Sequence, residues 1–480
     1  AITLLSSVEK PAKIPTTNSK EIPNAFLREL KKIFPDNDIL FGKEALPYGR
    51  DRWFASAQPA AVVFPRSTEQ VSSLLKLAAN YRVPVTPRGG GVGYVGGCVP
   101  VHGGIVLSTE RMDKILEISK TDFIAVVQPG IKTAEVQRRA IRRGLFYPPD
   151  PASLNESTIG GNIATNAGGP RCLKYGVTRH YLLGLEVVLM GGKILRVGGR
   201  THKNKTGLDL VGLFTGSEGL LGVITEATLR LLPLPPFRGA ICAGFPNIRS
   251  AALAIQKVFY NGLLPAAAEI ADKFTLQSAR NFLKLKKPNL LPSGDACVIF
   301  EVDGQKETVP LELKKIGQII QGLGAIETRF ALSQAACNEI WEIRRTFSDS
   351  LKATGLRKLN EDVTVPRGKI VDLVLFAQKI QKKYDFPVAC FGHAGDGNIH
   401  VNIMVGDWTD EKIRSKAEAA LDELFNQVLA WQGVITGEHG IGLAKLPWWP
   451  KALSKETRAT QIAIKKTLDP LGLLNPGKFL

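Results

Sequence analysis

The chain lacks the features that mark cysteine-based and membrane proteins. It holds six cysteines in 480 residues, and none forms a CxxC pair, which argues against a zinc ribbon, an iron–sulfur cluster or a disulfide framework. No apolar run reaches the ~18 residues of a membrane span, and the N-terminus lacks the apolar core of a secretory signal. We therefore expect a cytoplasmic protein with reduced thiols, either free or peripheral to a membrane.

Acidic residues are outnumbered by basic ones, and the formal net charge is +18. Such an excess is typical of nucleic-acid-binding proteins, but here no nucleic-acid motif or interleaved aromatic residues accompany it. We therefore predict no nucleic-acid partner and interpret most of the charge as solvated helix faces. The alternative is a docking surface for an acidic redox partner, a partner subunit or an anionic membrane. Oligomerisation stays open.

Glycine is abundant, with 47 residues, and two segments concentrate it. The first, PRGGGVGYVGGCVPVHGG over 87–104, follows a predicted strand. It contains GxGxxG, but a dinucleotide turn of that type opens a helix, and here Pro100 and two further glycines follow. The alternative is a loop whose bare backbone amides approach a phosphate, with Arg88 at its edge.

The second segment, PPDPASLNESTIGGNIATNAGG over 148–169, is rich in small and hydrogen-bonding residues. It has no charged side chain between Glu156 and Arg171. Two such segments in one domain predict a long cofactor with a diphosphate, that is, a dinucleotide.

Four motifs, in this order, resemble the FAD domain of the vanillyl-alcohol-oxidase/p-cresol-methylhydroxylase superfamily. They are Pro87-Arg-Gly-Gly-Gly-x-Gly, Pro149-Asp-Pro, Thr158-Ile-Gly-Gly-Asn and Gly216-Ser-Glu-Gly, with Asn475-Pro-Gly-Lys in the tail. The resemblance implies bound FAD, its diphosphate at Arg88–Gly93 and Gly160-Gly161. The residues implied to bind FAD are Pro87, Arg88, Gly89, Gly90, Gly91, Val92, Gly93, Pro149, Asp150, Thr158, Gly160, Gly161, Asn162, Thr165, Asn166, Gly222, Val223, Ile224 and Asn475. Because the glycine loop has no histidine for covalent attachment, we expect non-covalent FAD.

Histidine is scarce, and three of the six residues lie in two motifs. The first is Gly392-His393-Ala-Gly-Asp-Gly-Asn-Ile-His400-Val-Asn402, and the second is Thr436-Gly-Glu438-His439. The Gly-Asp-Gly-Asn turn signal predicts a hairpin with His393 and His400 on adjacent arms, and His400 and Asn402 share one face. Two histidines and a carboxylate are the ligands of a catalytic divalent metal with an open position. Hydrogen-bonded structural histidines are the alternative.

These motifs resemble the flavoprotein subunit of glycolate oxidase, D-lactate dehydrogenases and D-2-hydroxyglutarate dehydrogenase. The resemblance implies His393, His400 and Glu438 as ligands of a divalent metal, with zinc expected. It implies His439 as the catalytic base and Asn402 as a substrate-site residue.

An arginine that binds the substrate carboxylate is also implied, in the predicted helix 333–352. Arg344 matches the family better than Arg345, and a surface salt bridge is the alternative for this residue. Lys358 lies in Lys358-Leu-Asn-Glu-Asp-Val, which matches a further family segment.

The predicted elements indicate an α+β protein. A polar lead-in over 1–20 and a helix over 21–35 belong to the segment 1–54, and a two-part FAD-binding domain of the vanillyl-alcohol-oxidase type occupies 55–236. Within that domain the sequence predicts a helix over 67–82, capped by Ser67 or Thr68, and a hairpin around Gly191-Gly192. A substrate (cap) domain with an antiparallel sheet covered by helices follows at 237–430. Residues 431–480 complete the active site and return to the FAD-binding domain.

The activity implied is FAD- and metal-dependent oxidation of a D-2-hydroxy acid to the 2-oxo acid, with glycolate or D-lactate favoured. In this hypothesis the metal lowers the pKa of the substrate hydroxyl, His439 removes its proton, hydride passes to flavin N5, and Arg344 grips the carboxylate. An acceptor other than oxygen takes the electrons. Two alternatives are an oxygen-using oxidase of the same superfamily and a non-catalytic flavin subunit that relays electrons in a larger complex.

Overall fold

A computed structural model describes residues 22–284, 287 and 290–480 of the chain. The polar lead-in predicted for residues 1–20 lies outside the described residues. The chain divides into two compact units. The first unit is built from residues up to Gly168, from Val177–Leu234 and from Glu438–Leu480. The second unit is built from Gly169–Gly176 and Pro235–Gly437.

The helices have clear bounds, and the predicted helix 21–35 is realised as the first of them. The helices are α1 (Asn24–Ile33), α2 (Gly42–Ala45), α3 (Thr68–Tyr81), α4 (Thr133–Ile141), α5 (Ile159–Thr165), α6 (Cys172–Tyr175), α7 (Leu210–Phe214), α8 (Ile248–Tyr260), α9 (Lys273–Leu283), α10 (Val309–Gln321), α11 (Gln334–Lys352), α12 (Ile370–Tyr384), α13 (Glu411–Ala430), α14 (Trp449–Ala452) and α15 (Lys455–Leu468). Within the described part of the chain, no helix combines the length and apolar character needed to cross a membrane.

The strands alternate with these helices along the chain. They are β1 (Ile39–Leu40), β2 (Ala61–Val63), β3 (Val85–Arg88), β4 (Ile105–Ser108), β5 (Ile115–Ser119), β6 (Ile124–Val127), β7 (Leu145–Phe146), β8 (Leu182–Val188), β9 (Ile194–Gly198), β10 (Val223–Arg230), β11 (Leu232–Pro233), β12 (Phe237–Phe245), β13 (Ala267–Ala271), β14 (Ala296–Gly304), β15 (Glu327–Ala331), β16 (Arg357–Thr364), β17 (Val388–His393) and β18 (Asn398–Val405).

The first unit holds a mixed sheet and an antiparallel sheet. The mixed sheet has the order β1-β2-β4-β3, and the antiparallel sheet has the order β5-β6-β10-β8-β9. Helix α3 begins after Ser67, whose hydroxyl accepts a hydrogen bond from the Gln70 amide, as its capping signal predicts. The predicted hairpin around Gly191-Gly192 is confirmed as β8 and β9.

The second unit is built on one sheet of order β15-β12-β14-β13-β17-β18-β16. Every pairing in it is antiparallel, so the predicted antiparallel sheet is confirmed. Helices α9 and α11 bury one face in an apolar cluster that includes Cys242, Ile299 and Phe391. On the opposite face α10 packs so closely that a Cβ at Gly317 would lie 2.6 Å from the Phe330 ring.

The register of this sheet decides which side chains share the α11 face. Directly opposed residues point to the same side of a sheet. Phe391, in the α11 cluster, opposes His400, and Ala389 opposes Asn402. His393, two residues after Phe391, therefore lies on this face as well. Polar side chains from β17 and β18 thus lie on the face of the sheet that α9 and α11 cover.

Candidate functional site

The two glycine-rich segments of the first unit lie against each other. After β3, residues 89–104 form turns and bends, which confirms that the GxGxxG match does not open a helix. A Cβ at Gly89 would lie 2.6 Å from Thr158 Oγ1, and a Cβ at Gly90 would lie 2.5 Å from the Glu156 carbonyl oxygen. Glycine is required at both positions because the second segment passes directly over the first.

The second segment forms a short helix that the sequence does not predict. Thr158 caps α5 by accepting a hydrogen bond from the Gly161 amide at 3.2 Å. The helix ends at Asn166, which adopts the left-handed conformation and accepts a hydrogen bond from the Arg179 amide. Asn162 turns inward and donates to Thr133 Oγ1 at 2.8 Å. Asn162 therefore holds the segment in place through a buried contact.

Arg88 is used within the protein. Its Nη1 donates to the carbonyl oxygen of Arg50 at 2.6 Å and contacts Cys98 Sγ at 3.2 Å. Its guanidinium carbon lies 5.4 Å from the centre of the Tyr48 ring. These contacts hold the guanidinium beside the loop, and a contact of Arg88 with a diphosphate stays a prediction.

The tail reaches the same region through Asn475. Its side-chain amide donates to the Gly97 and Glu218 carbonyl oxygens, and its backbone amide donates to the Val85 carbonyl oxygen at 2.7 Å. Asn475 thus joins the glycine loop to the Gly216-Ser-Glu-Gly motif. The other predicted cofactor residues differ in burial: Pro149, Asp150, Gly222 and Val223 are buried, Gly93 is exposed, and Pro87, Gly91, Val92, Gly160, Gly161, Thr165 and Ile224 lie between.

His439 is carried by a loop that a buried carboxylate holds. Glu218 accepts hydrogen bonds from the backbone amides of Ile441 and Gly442 at 2.7 and 2.8 Å. Burial raises the pKa of Glu218 to about 7, although the two amides oppose that change. The His439 ring centre lies 5.3 Å from that of Tyr94. In the sequence, Glu218 appears only as part of the Gly216-Ser-Glu-Gly motif, and nothing there predicts its contact with the loop of His439.

In the second unit, the two predicted histidine ligands occupy adjacent strands. The ring centres of His393 on β17 and His400 on β18 are 5.7 Å apart. Asn402 is fully buried, and its amide nitrogen donates to the carbonyl oxygens of Ala389 and His400. Its Oδ1 has no hydrogen-bond partner among the described residues. A buried oxygen left in this condition is suited to accept a hydrogen bond from a ligand.

Glu269 on β13 is the main site residue that the sequence analysis missed. It is 1 % exposed, and its Oε1 lies 2.6 Å from His393 Nδ1. Its Oε2 accepts a hydrogen bond from Arg344 Nε. Burial would raise the pKa of Glu269, but the charges and hydrogen bonds of His393 and Arg344 lower it to about 2. The only signal was a single charged residue in the apolar segment 263–271.

Of the two candidate arginines, only Arg344 faces the interior. It is 8 % exposed, whereas Arg345 is exposed, so the surface salt bridge considered for Arg344 is wrong. Its guanidinium carbon lies 4.8 Å from the centre of the Phe391 ring.

Lys358 lies in the same unit and meets α11. Its Nζ donates to Ser348 Oγ at 2.9 Å. Burial, with smaller contributions from Lys352 and Arg344, lowers the pKa of Lys358 to about 8 against the opposing effect of Asp349. Ser348 was not identified from the sequence.

The strand β16 anchors the segment that precedes Glu438. The buried Asp362 opposes His400 in the sheet. Its carboxylate and its carbonyl oxygen both accept hydrogen bonds from the Gly437 amide, at 2.9 and 2.8 Å. Gly437 ends the second unit, and Glu438 is the next residue of the chain.

This arrangement fits a divalent metal in the second unit. When its Nε2 carries no proton, a His393 that donates from Nδ1 to Glu269 presents the Nε2 lone pair to a cation, and metal-binding histidines are typically held in this way. The fit of a dinucleotide in the first unit rests on the two glycine-rich segments, which leave backbone amides with little side-chain cover.

Comparison with protein families finds two matches that together cover most of the chain. Residues 59–198 match the FAD binding domain, and residues 234–479 match the C-terminal domain of FAD linked oxidases. Among similar proteins, glycolate oxidase subunit GlcD of Bacillus subtilis is 40 % identical over 88 % of this chain and 89 % of its own length. D-lactate dehydrogenase of Anaerostipes hadrus is 33 % identical over 94 % and 96 %. D-2-hydroxyglutarate dehydrogenase of Stutzerimonas stutzeri is 32 % identical over 95 % and 98 %.

Two solved structures have the same fold. A 4-ethylphenol oxidase from Gulosibacter chungangensis covers 97 % of this chain with a TM-score of 0.79 and 98 % of its own length. A p-cresol methylhydroxylase with bound substrate covers 95 % with a TM-score of 0.76 and 96 % of its own length. Both are 19 % identical to this chain, and the likeness concerns the fold.

Proposed function

The chain belongs to the FAD-linked oxidases, and from this premise we propose that it oxidises a D-2-hydroxy acid to the 2-oxo acid with the help of a divalent metal. Oxidation of a hydroxy acid is the activity that its relatives share by name, and FAD is the cofactor that its two family matches name. The observation that carries the finer proposal is the contact of Glu269 with both His393 and Arg344. A histidine suited to a metal and an arginine suited to a carboxylate meet at one buried residue.

The first unit binds FAD without a covalent bond, and the glycine-rich segments contribute backbone amides to the diphosphate. When bound, FAD supplies the acceptor for the hydride that leaves C2 of the substrate. Thr158 and Asn166 fix the two ends of α5, while Arg88 and Asn475 hold the loop by internal contacts. These residues therefore act on FAD mainly by positioning backbone.

The metal ligands are His393, His400 and Glu438, and zinc suits two imidazoles and one carboxylate. When bound, the metal supplies a Lewis acid for the substrate oxygens. Asp362 lies opposite His400 in the sheet and accepts a hydrogen bond from the Gly437 amide. Glu438 is the next residue after Gly437. This covalent neighbourhood supports Glu438 as the third ligand.

His439 accepts the proton of the substrate hydroxyl, because an imidazole suits the role of a general base at neutral pH. Arg344 binds the substrate carboxylate, since its planar fork suits a bidentate contact. Lys358 adds a second positive charge in the same unit, and Asn402 offers a buried amide oxygen to the substrate. Arg344 and Asn402 thereby fix which face of C2 is presented.

An acceptor other than oxygen would take the electrons from the bound flavin. All six cysteines are free thiols, and four of them are buried, so an iron–sulfur relay would have to lie on a partner protein. A location in the cytoplasm, or at a membrane surface, stays a prediction.

The test is anaerobic reduction of bound flavin, followed by loss of its absorbance, with a panel of D- and L-2-hydroxy acids. We expect bleaching by glycolate or a D-acid and none by the L-acids. Prior treatment with a chelator should slow the bleaching, and added Zn²⁺ should restore it. A flavin that stays oxidised with every D-acid and glycolate would refute the proposal. Rapid reoxidation by air would favour the oxygen-using alternative.

A further inference from the structure

We propose that Glu269 is a positioning residue that holds the metal-binding histidine and the carboxylate-binding arginine in one fixed relation. The inference rests on the proposed function, since it concerns His393 and Arg344. Glu269 touches neither substrate nor cofactor in this scheme. It acts through the two residues that do.

The position of Glu269 follows from the sheet. It lies on β13, directly opposite Ile299 of β14, and Ile299 packs in the cluster under α11. Glu269 therefore points to the α11 side, where Arg344 arrives from the helix and His393 from β17. Three different elements contribute to one contact, and the carboxylate is its centre.

The chemistry of the contact sets the tautomer of His393. A carboxylate has only acceptors, so the ring must present an N–H from Nδ1 to Oε1 of Glu269 at 2.6 Å. A neutral ring with its proton on Nδ1 has a lone pair on Nε2 and is ready to bind a cation. The second oxygen of Glu269 fixes Arg344 through Nε, which leaves the terminal Nη groups without a hydrogen bond to the described residues.

Burial makes this arrangement specific. Glu269 is 1 % exposed and Arg344 is 8 % exposed. If either residue loses its hydrogen-bond partner, water cannot readily reach the site to take that partner's place, and the unpaired group is destabilising. Loss of the Glu269 carboxylate would displace the imidazole of His393 and the guanidinium of Arg344 at the same time, because both are bonded to it. Metal binding and substrate binding should accordingly weaken in the same variant.

The substitution Glu269→Gln tests this logic without changing the size of the side chain. Glutamine keeps one acceptor oxygen, and its NH₂ group must face either His393 or Arg344. Facing His393, it would favour a proton on Nε2 and block the nitrogen meant for the metal. If the NH₂ group faced Arg344, it would meet the Nε–H group of the arginine. Both groups are donors, so the hydrogen bond to Arg344 would be lost.

A matched control lies on the neighbouring strand. Glu301 of β14 is also 1 % exposed and accepts hydrogen bonds from Arg171 Nε and Trp341 Nε1. Glu301→Gln therefore makes the same chemical change in the same sheet, at an equally buried glutamate with an arginine and a ring N–H as donors. It touches neither predicted histidine ligand.

The experiment measures the dissociation constant of Zn²⁺ for the FAD-loaded enzyme by competition with a chromophoric chelator, alongside KM and kcat for the preferred hydroxy acid. We expect Glu269→Gln to weaken Zn²⁺ binding by about 10–100-fold and to raise KM, whereas Glu301→Gln leaves the affinity for Zn²⁺ unchanged. Equal Zn²⁺ affinity in the wild type and Glu269→Gln would overturn the inference alone. A wild type that binds no Zn²⁺ would refute the proposed metal dependence as well.

A second measurement uses the unmodified chain, in case the Glu269 variants do not fold. With ¹⁵N-labelled histidine, we expect one of the six imidazoles to carry its proton on Nδ1 and to shift its Nε2 resonance when Zn²⁺ is added. The assignment to His393 follows from loss of that signal in His393→Gln. A His393 ring protonated only on Nε2 in the metal-free protein would overturn the inference.

Discussion

Oε1 of Glu218 accepts a hydrogen bond of 2.7 Å from the backbone amide of Ile441, two residues after His439. The bond joins positions that are 223 residues apart in the chain. The loop that carries the proposed base is thus fixed by a residue of the Gly216-Ser-Glu-Gly motif. Removal of this hydrogen bond should change the position of His439 more than it changes the stability of the rest of the first unit.

Glu218→Ala leaves the part-buried amide of Ile441 and the buried amide of Gly442 without their acceptor, and an unsatisfied buried donor costs about 1–3 kcal/mol. We expect slower flavin reduction in stopped-flow experiments, with Glu218→Gln intermediate because one acceptor oxygen remains. Glu117→Ala is the control, since the Glu117 side chain is 42 % exposed and forms an ion pair with Arg200 in the same unit. Equal reduction rates in all variants would contradict the positioning role.

His439→Ala should abolish reduction of the flavin by the hydroxy acid while FAD stays bound. The substitution removes the group that accepts the hydroxyl proton. It also removes the ring contact with Tyr94 of the first glycine-rich segment, but it leaves the backbone amides of that segment in place. FAD content per chain and the rate of bleaching are the two measurements. His202→Ala, at an exposed histidine bonded to a carbonyl oxygen, should match the wild type in both. Full activity of His439→Ala would refute the assignment.

The affinity for the anionic substrate should fall as pH rises through about 8. Burial lowers the pKa of Lys358 to about 8, so its positive charge is present below that pH and lost above it. We expect KM to rise above pH 8 in the wild type. In Lys358→Arg the rise should move to higher pH, because a guanidinium stays charged, and in Lys358→Met KM should be high throughout. A pH profile of KM that Lys358→Met leaves unaltered would show that another group titrates.

Gly90→Ala should reduce both stability and FAD content. Its Cβ would lie 2.5 Å from the Glu156 carbonyl oxygen, and such overpacking typically costs about 1–3 kcal/mol. Gly97→Ala in the same loop is the control, because its Cβ would meet other atoms only at 4.0 Å. Flavin absorbance per chain and the midpoint of thermal unfolding separate the two variants. Normal FAD content in Gly90→Ala would show that the second segment can move away.

Lys465→Met should destabilise the first unit by about 3–5 kcal/mol, the usual cost of breaking a buried ion pair. Lys465 Nζ donates to Asp469 and to the carbonyl oxygens of Leu220 and Leu474. The variant leaves the fully buried side chain of Asp469 without its cation. Lys466→Met, at the exposed next residue, should change the free energy of unfolding little. Chemical denaturation of the FAD-free protein measures both.

Sequence patterns were sufficient where local signals and burial agree. The turn between β17 and β18 and the cap of α3 both follow from a few adjacent residues. The histidine positions followed from the same turn, since a hairpin fixes which residues share a face. Family resemblance supplied the roles of these residues, which spacing alone left open.

Sequence patterns failed where tertiary contacts override local preference. The segment of β13 is rich in alanine, a weak strand former, and it becomes a strand because β14 and β17 pair with it on both sides. Glu269 was missed together with that strand. The helix α5 was missed because its two glycines disfavour a helix, and the Thr158 cap together with packing against the glycine loop compensates.

Arg88 shows a different limit. The expectation that its charge would meet a diphosphate depended on where a flexible side chain points. The carbonyl oxygen of Arg50 and the ring of Tyr48, both about 40 residues earlier in the chain, contact the guanidinium, and no local signal in the sequence indicated these two partners. A sequence can place an arginine beside a loop but does not show which partner the side chain will choose.

The hydrogen bond between the Asn475 amide and the Val85 carbonyl oxygen also has a consequence for folding during synthesis on the ribosome. The edge of β3 is covered by residues that leave the ribosome only after residues 235–437, the larger part of the second unit, have been made. At about 5–20 residues per second, that delay is roughly 10–40 s. During this time the nascent first unit carries an open sheet edge, the kind of surface on which chains aggregate. During synthesis, the N-terminal part of the first unit should therefore need chaperones for longer than the rest of the chain, although it is made first.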